Sequence, residues 1–177
     1  DYEEKCQRPY LLDGPVDFVP EITHSGDLIV DKDMVIENKK YLQQGNIYIN
    51  NKAKLVIKNS QLAIGRGNIP TIHIYIFVSE GSSLEIDNSM VFPAPLKTES
   101  SGMGSLVIVR DYGDVNIINS PTSIHLMEVY ENAKLNMVNS AMVYTIGGLL
   151  QTVGGDTKII NSTLGGVHLA VPANSHL

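Results

Sequence analysis

The chain of 177 residues contains no tryptophan and a single cysteine, Cys6. One thiol excludes an intrachain disulfide. Cys6 is read as an inert thiol first, with pairing to a second chain or to further parts of a longer protein as the alternatives. Charge is also scarce: 18% of residues are charged and the net charge is −6, with no basic run. Phosphate contacts need clustered Lys and Arg, so no nucleic acid partner is expected. No apolar run approaches the ~20 residues of a bilayer-spanning helix, so no membrane span is expected in this chain. No signal-peptide pattern is present, and Asp1 reads as a mature or trimmed end. Only three arginines occur, Arg8, Arg66 and Arg110, and no two aspartates are adjacent. Hydrophobic residues make up 43% of the chain, which argues against disorder, and frequent Gly and Asn suit β-structure with many turns.

What the chain does have is a repeated frame: apolar, any, apolar, any, Asn. Met34, Ile36 and Asn38 form one copy. The others are Leu55, Ile57, Asn59; Leu84, Ile86, Asn88; Val115, Ile117, Asn119; Leu135, Met137, Asn139; and Thr157, Ile159, Asn161. In the last five the Asn precedes Ser, and the Asn-to-Asn spacings are 21, 29, 31, 20 and 22. A period of two places the three pattern residues on one face of a strand. Repetition at this spacing predicts a solenoid in which each coil buries its inner face only against its neighbours. The frame predicts that the Asn residues point inward and bond amide to amide up the stack, as stacked Asn does in cross-β structures. Asn161-Ser162-Thr163 is the only glycosylation sequon, and its Asn is read as part of this ladder.

A second apolar strand and a polar turn precede most frames: Ile47 to Ile49 before Asn50-Asn51-Lys52, Leu126 to Tyr130 before Glu131-Asn132, Leu149 to Val153 before Gly154-Gly155-Asp156. Each coil reads strand, turn, strand, Asn-Ser corner, variable loop. This grammar, over about residues 28 to 170, resembles the right-handed parallel β-helix of the pectate-lyase-like superfamily, including its secreted and surface repeat proteins. The resemblance implies an all-β, single-stranded right-handed solenoid of about six coils, in an extracellular or cell-surface setting. The expected division is an N-terminal cap over 1–27, the β-helix over 28–171 and a tail over 172–177. Two insertions, Gln61 to Thr71 and Met90 to Ser105, follow adjacent corners and are expected to project from one edge.

The candidate ligand-binding residues lie on these loops and on one turn: Arg66, Asn68, Lys97, Glu99, Arg110 and Asp111. Tyr75, Phe77 and Tyr112 are candidate stacking platforms for a sugar. Strand alternation with Ile74, Ile76 and Val78 inside turns His73, Tyr75 and Phe77 outward. Leu106, Ile108 and Leu126 follow in the same outward column, and Ile118, Val138 and Ile160 stack outward on the neighbouring strand. So apolar an outer surface is normally covered, by the loops or N-terminal segment, or else by another subunit. These nine residues are the candidate partner interface.

The superfamily's enzymes cleave acidic polysaccharides, and hydrolases among them need clustered carboxylates. This chain has no Asp-Asp pair and lacks the Asn-Thr-Asp and Gly-His-Gly signatures of polygalacturonases. His73, His125 and His168 sit in apolar-His-apolar frames without metal-ligand spacing, and Asp31 and Asp33 read as a solvated turn. No metal or cofactor is expected. The reading is a non-enzymatic module acting in structural assembly, by self-association or by binding another surface protein. The alternative is a carbohydrate-binding or lyase-like protein acting on acidic glycans.

Overall fold

A computed structural model describes residues 18–65, 73–94 and 106–170. It is a parallel β-solenoid with eighteen strands and no helix among the described residues. The repeated frame builds one face of it. Met34–Glu37, Lys54–Lys58, Ser83–Asp87, Asp114–Ile118, Lys134–Val138 and Asp156–Ile160 pair in parallel as a six-stranded sheet, here the second sheet. The strands before the polar turns build the first sheet: Leu28–Val30, Ile47–Ile49, His73–Val78, Leu106–Asp111, Leu126–Tyr130 and the end of Ala141–Val153. Apolar residues at alternate positions of both sheets point inward and close one core. Ile47, Ile49, Leu55, Ile57, Leu84, Ile86, Val115 and Ile117 are fully buried in it.

The variable loop expected after each Asn-Ser corner begins instead as a third parallel face. Ile22–Ser25, Lys40–Gln44, Gln61–Ile64, Met90–Pro93, Pro121–Thr122, the start of Ala141–Val153 and the start of Thr163–Ala170 stack there. These strands are as short as two residues, and Pro, Gln and Thr obscure their alternation. Their inward column is nonetheless regular, with Tyr41, Leu62, Val91, Thr122 and Met142 in register and buried. Their outward column is covered. Ala63 and Phe92 are buried against Leu42 and Met90, and Phe18 meets the Phe92 ring edge-on at 5.2 Å. The end of the segment expected as a cap thus continues the third sheet through Ile22–Ser25 and lies over its outer side through Phe18.

The corners correct the inward placement of the asparagines. Asn38, Asn59, Asn88, Asn119, Asn139 and Asn161 are all exposed, and all adopt φ between +46° and +53°. That left-handed backbone breaks the period-two alternation, and Asn tolerates it better than most residues. The exposed amides still bond up the corner: Asn88 Nδ2 donates to Asn59 Oδ1 at 2.8 Å, Asn139 to Asn119 at 3.3 Å and Asn161 to Asn139 at 2.8 Å. The inward position passes to the serine. Ser60, Ser89, Ser120 and Ser140 are buried, and each hydroxyl accepts the N–H of the corner residue one coil earlier: Lys39, Ser60, Ser89 and Ser120, at 3.0–3.1 Å. Each hydroxyl also donates to the carbonyl two residues back, at 2.6–2.8 Å.

The two roles separate by mutation. Ser120→Ala strands the buried Ser89 N–H and should cost about 1–3 kcal/mol in a urea titration. Asn119→Leu should cost about 1–2 kcal/mol through the left-handed backbone, whereas Asn119→Gly, which adopts that φ freely, should stay within about 1 kcal/mol of the parent. An Asn119→Gly loss as large as that of Ser120→Ala would contradict the corner geometry.

Candidate functional site

On the first sheet, the outward positions carry rings in consecutive coils. Register pairs Tyr48 with Phe77, Phe77 with Arg110, and Arg110 with Glu128. Because side chains stand out from a sheet and adjacent strands lie about 4.8 Å apart, in-register rings stack. Tyr48 and Phe77 lie 5.2 Å apart and nearly parallel, and Tyr75 stacks on Phe77 at 5.3 Å along the same strand. The Arg110 guanidinium closes the stack, 5.1 Å from the Tyr75 centroid and 5.9 Å from Phe77. Its Nε donates to Glu128 Oε2 at 2.8 Å. That hydrogen bond is the main reason the Arg110 pKa is held above its ordinary value. At the sheet's edge Tyr112 and Tyr130 stack at 4.2 Å. Burial first, and the hydrogen bond with Tyr112 second, push the Tyr130 hydroxyl up to about 12. Asn46 ties the near end, donating from Nδ2 to the Tyr48 hydroxyl and accepting the Tyr75 N–H at Oδ1.

The nine interface candidates divide between two faces. His73 is exposed on the first sheet and Tyr75, Phe77, Leu106 and Leu126 are half-buried there, while Ile108, in the same column, is buried. Ile118, Val138 and Ile160 form a separate column on the outer side of the second sheet, half-buried at the first two and 42% exposed at Ile160. The same column begins with the charged Glu37, Lys58 and Asp87. The continuous apolar surface is therefore on the first sheet. Tyr48, Glu128 and Tyr130 complete it and escaped sequence reasoning. Their outward phase between buried neighbours was the available signal, as in Ile47-Tyr48-Ile49.

The ligand candidates are not brought together. Arg66, Asn68, Lys97 and Glu99 lie outside the described residues. Arg110 and Asp111, expected on a turn, end a strand and face opposite ways. Asp111 points into the core at 0% exposure, in register between Val78 and Val129. Its Oδ1 accepts the Gly113 N–H at 3.0 Å and its Oδ2 has no partner among the described residues. Gly113 has no room for a side chain, since a Cβ there would lie 2.2 Å from the Ser82 carbonyl oxygen. Burial pushes the Asp111 pKa up to about 8 against the pull of the Gly113 N–H. Such a carboxyl is a neutral acid inside a dry core at pH 7. No molecule on the outer face reaches it.

Sugar stacking needs free ring faces. Here Tyr48, Tyr75 and Phe77 use faces on one another and under Arg110, and Tyr112 uses one on Tyr130. A groove of about 310 Å³ also runs along the corner past Asn59, Asn88 and Asn119, but the Asn59, Asn88, Ser60 and Ser89 side chains are already bonded to one another or to the backbone. Among the described residues no three His, Cys, Asp or Glu side chains converge as metal ligands.

No protein family, curated protein or solved structure was found to match the chain.

Asp111 makes stability depend on pH. Its folded pKa lies above the unfolded value, so between about 4 and about 8 the folded state holds the extra proton and stability falls as pH rises. The slope this group contributes is up to about 1.4 kcal/mol per pH unit. Asp111→Asn should flatten that slope and melt higher than the parent at pH 8.5. An unchanged pH profile in thermal melts of the variant would remove Asp111 as its source.

Proposed function

We propose that this protein is a structural β-solenoid module that associates with a second copy of itself through the outer face of its first sheet. The observation that carries this reading is the half-buried strip of Tyr48, Phe77, Arg110 and Glu128, one residue from each of four consecutive coils. A two-fold axis along the strand direction, midway between the Arg110 and Glu128 rows, reverses the order of coils. It sets Arg110 of each copy against Glu128 of the other. An isologous contact needs such self-complementarity. The flat apolar surface around the pair supplies area, and the paired charges supply register. A home in the right-handed, pectate-lyase-like β-helix superfamily and an extracellular or surface location fit the same reading. They rest on the repeat grammar alone.

Light scattering after size exclusion, over a concentration series, tests it. The parent should pass from monomer to dimer as concentration rises. Arg110→Glu should weaken association at least tenfold, and Arg110→Glu with Glu128→Arg should restore it, since the swapped pair is again self-complementary. Parent chains that stay monomeric throughout would overturn self-association. Glycan-array binding that is lost in Tyr75→Ala would then favour the carbohydrate-binding alternative.

A further inference from the structure

Among the described residues, Tyr112 and Tyr130 are the one pair of tyrosines whose rings stack on each other. Their centroids lie 4.2 Å apart with the planes 10° from parallel, and their hydroxyls share a hydrogen bond. The pair follows from register. Asp111 lies beside Val129, so the next residue of each coil, Tyr112 and Tyr130, meet as neighbours. One coil earlier the position is held by Ser79, whose hydroxyl bonds Asn50, and one coil later by Val153. Tyr41 is buried in the core, and Tyr48 and Tyr75 each stack on Phe77 instead.

The backbone beneath both rings is fixed. The Tyr112 N–H donates to the Val78 carbonyl, Gly113 has no room for a Cβ, and the Tyr130 carbonyl accepts the Ala133 N–H. Access is unequal. Tyr112 is 40% exposed and Tyr130 is half-buried. An oxidant therefore reaches the first ring directly and the second by electron transfer across the stack.

We infer that Tyr112 and Tyr130 are a site of oxidative crosslinking, at which a peroxidase-type oxidant joins two adjacent coils through a dityrosine bond. Hydrogen peroxide takes one electron and one proton from each phenol and leaves as two waters. The two phenoxyl radicals couple at ring carbons ortho to oxygen, forming one C–C bond. Each coupled carbon then gives up its hydrogen as a proton, and a proton returns to each oxygen, so both phenols are restored. The protein's net loss is two hydrogen atoms. In-register residues of paired strands stand about 4.8 Å apart, so the stacked rings need only pivot on their Cα–Cβ and Cβ–Cγ bonds for their edges to meet. A solenoid is held together coil by coil at nearest-neighbour interfaces, and a crosslink also removes freedom from the unfolded chain. The bond staples two coils of one chain and is independent of the side-on contact proposed above.

The test treats the full chain with horseradish peroxidase and hydrogen peroxide, at a dilution where light scattering shows monomer, and analyses it under reducing conditions. Trypsin releases residues 111–134 as one peptide holding both rings. That peptide should be lighter by two hydrogen atoms and show dityrosine fluorescence, and cleavage after Glu128 should leave its two parts joined. Tyr112→Phe and Tyr130→Phe should each lower the yield at least tenfold, while Tyr48→Phe and Tyr75→Phe should leave it unchanged. The crosslinked protein should unfold at a higher urea concentration than the untreated one. Equal yield from chains unfolded in urea before oxidation would show that the stack is irrelevant and overturn the proposal. Products that join two chains, with a yield rising with protein concentration, would overturn it as well. An unchanged urea midpoint would overturn the stapling role.

Discussion

The serine hydroxyl at each corner is the interaction on which the rest of this structure depends. A left-handed Asn turns the chain from the second sheet to the third, and the turn leaves a backbone N–H facing the interior. Water cannot reach it there, so another coil must satisfy it. The hydroxyl of the next Ser does so while donating its own proton to a carbonyl two residues back. Because this bond joins equivalent residues of adjacent coils, it sets their register. Once the corners are in register, every inward and outward column on the three faces follows from strand alternation.

The faces then meet different fates. On the third, Ala63 and Phe92 are buried outside the sheet, with Phe18 laid across them. On the second, the early coils carry charge, including the Lys54–Glu85 ion pair, and the asparagines Asn116 and Asn136 continue the polar surface. Such exposed pairs add little stability, and their main effect is to keep the face solvated. On the first, in-register aromatics satisfy one another and Arg110 closes the stack. Stacking a repeat makes any residue chosen for an outward position count several times over, so a modest preference for aromatics becomes a continuous surface.

Asp111 shows that the core is not uniform. Its register neighbours Val78 and Val129 are fully buried, and a carboxyl whose Oδ2 has no partner among the described residues stands between them. An apolar residue would be more stable at neutral pH. The Gly113 N–H it accepts belongs to a turn with no space for a Cβ, so the carboxyl braces a backbone that sits close to Ser82.

The repeated frame was enough to read the solenoid, its six coils, and the inward role of residues such as Leu55, Ile57, Leu84 and Ile86, because period two and burial are coupled wherever one face is dry. It was also enough to find the asparagine stack. It could not show that those amides lie outside, because the decision rests on a backbone dihedral that reverses the alternation at one residue, and the Asn-Ser pair reads the same either way. The third sheet was hidden for a related reason: strands of two to five residues carry too few positions for a pattern to rise above chance. The sequence alone determined which residues repeat and at what spacing. The tertiary structure decided which of them share a surface, since only stacking brings Tyr48, Phe77, Arg110 and Glu128, far apart along the chain, into one column, and only the strand's pleat turns Asp111 away from the arginine beside it.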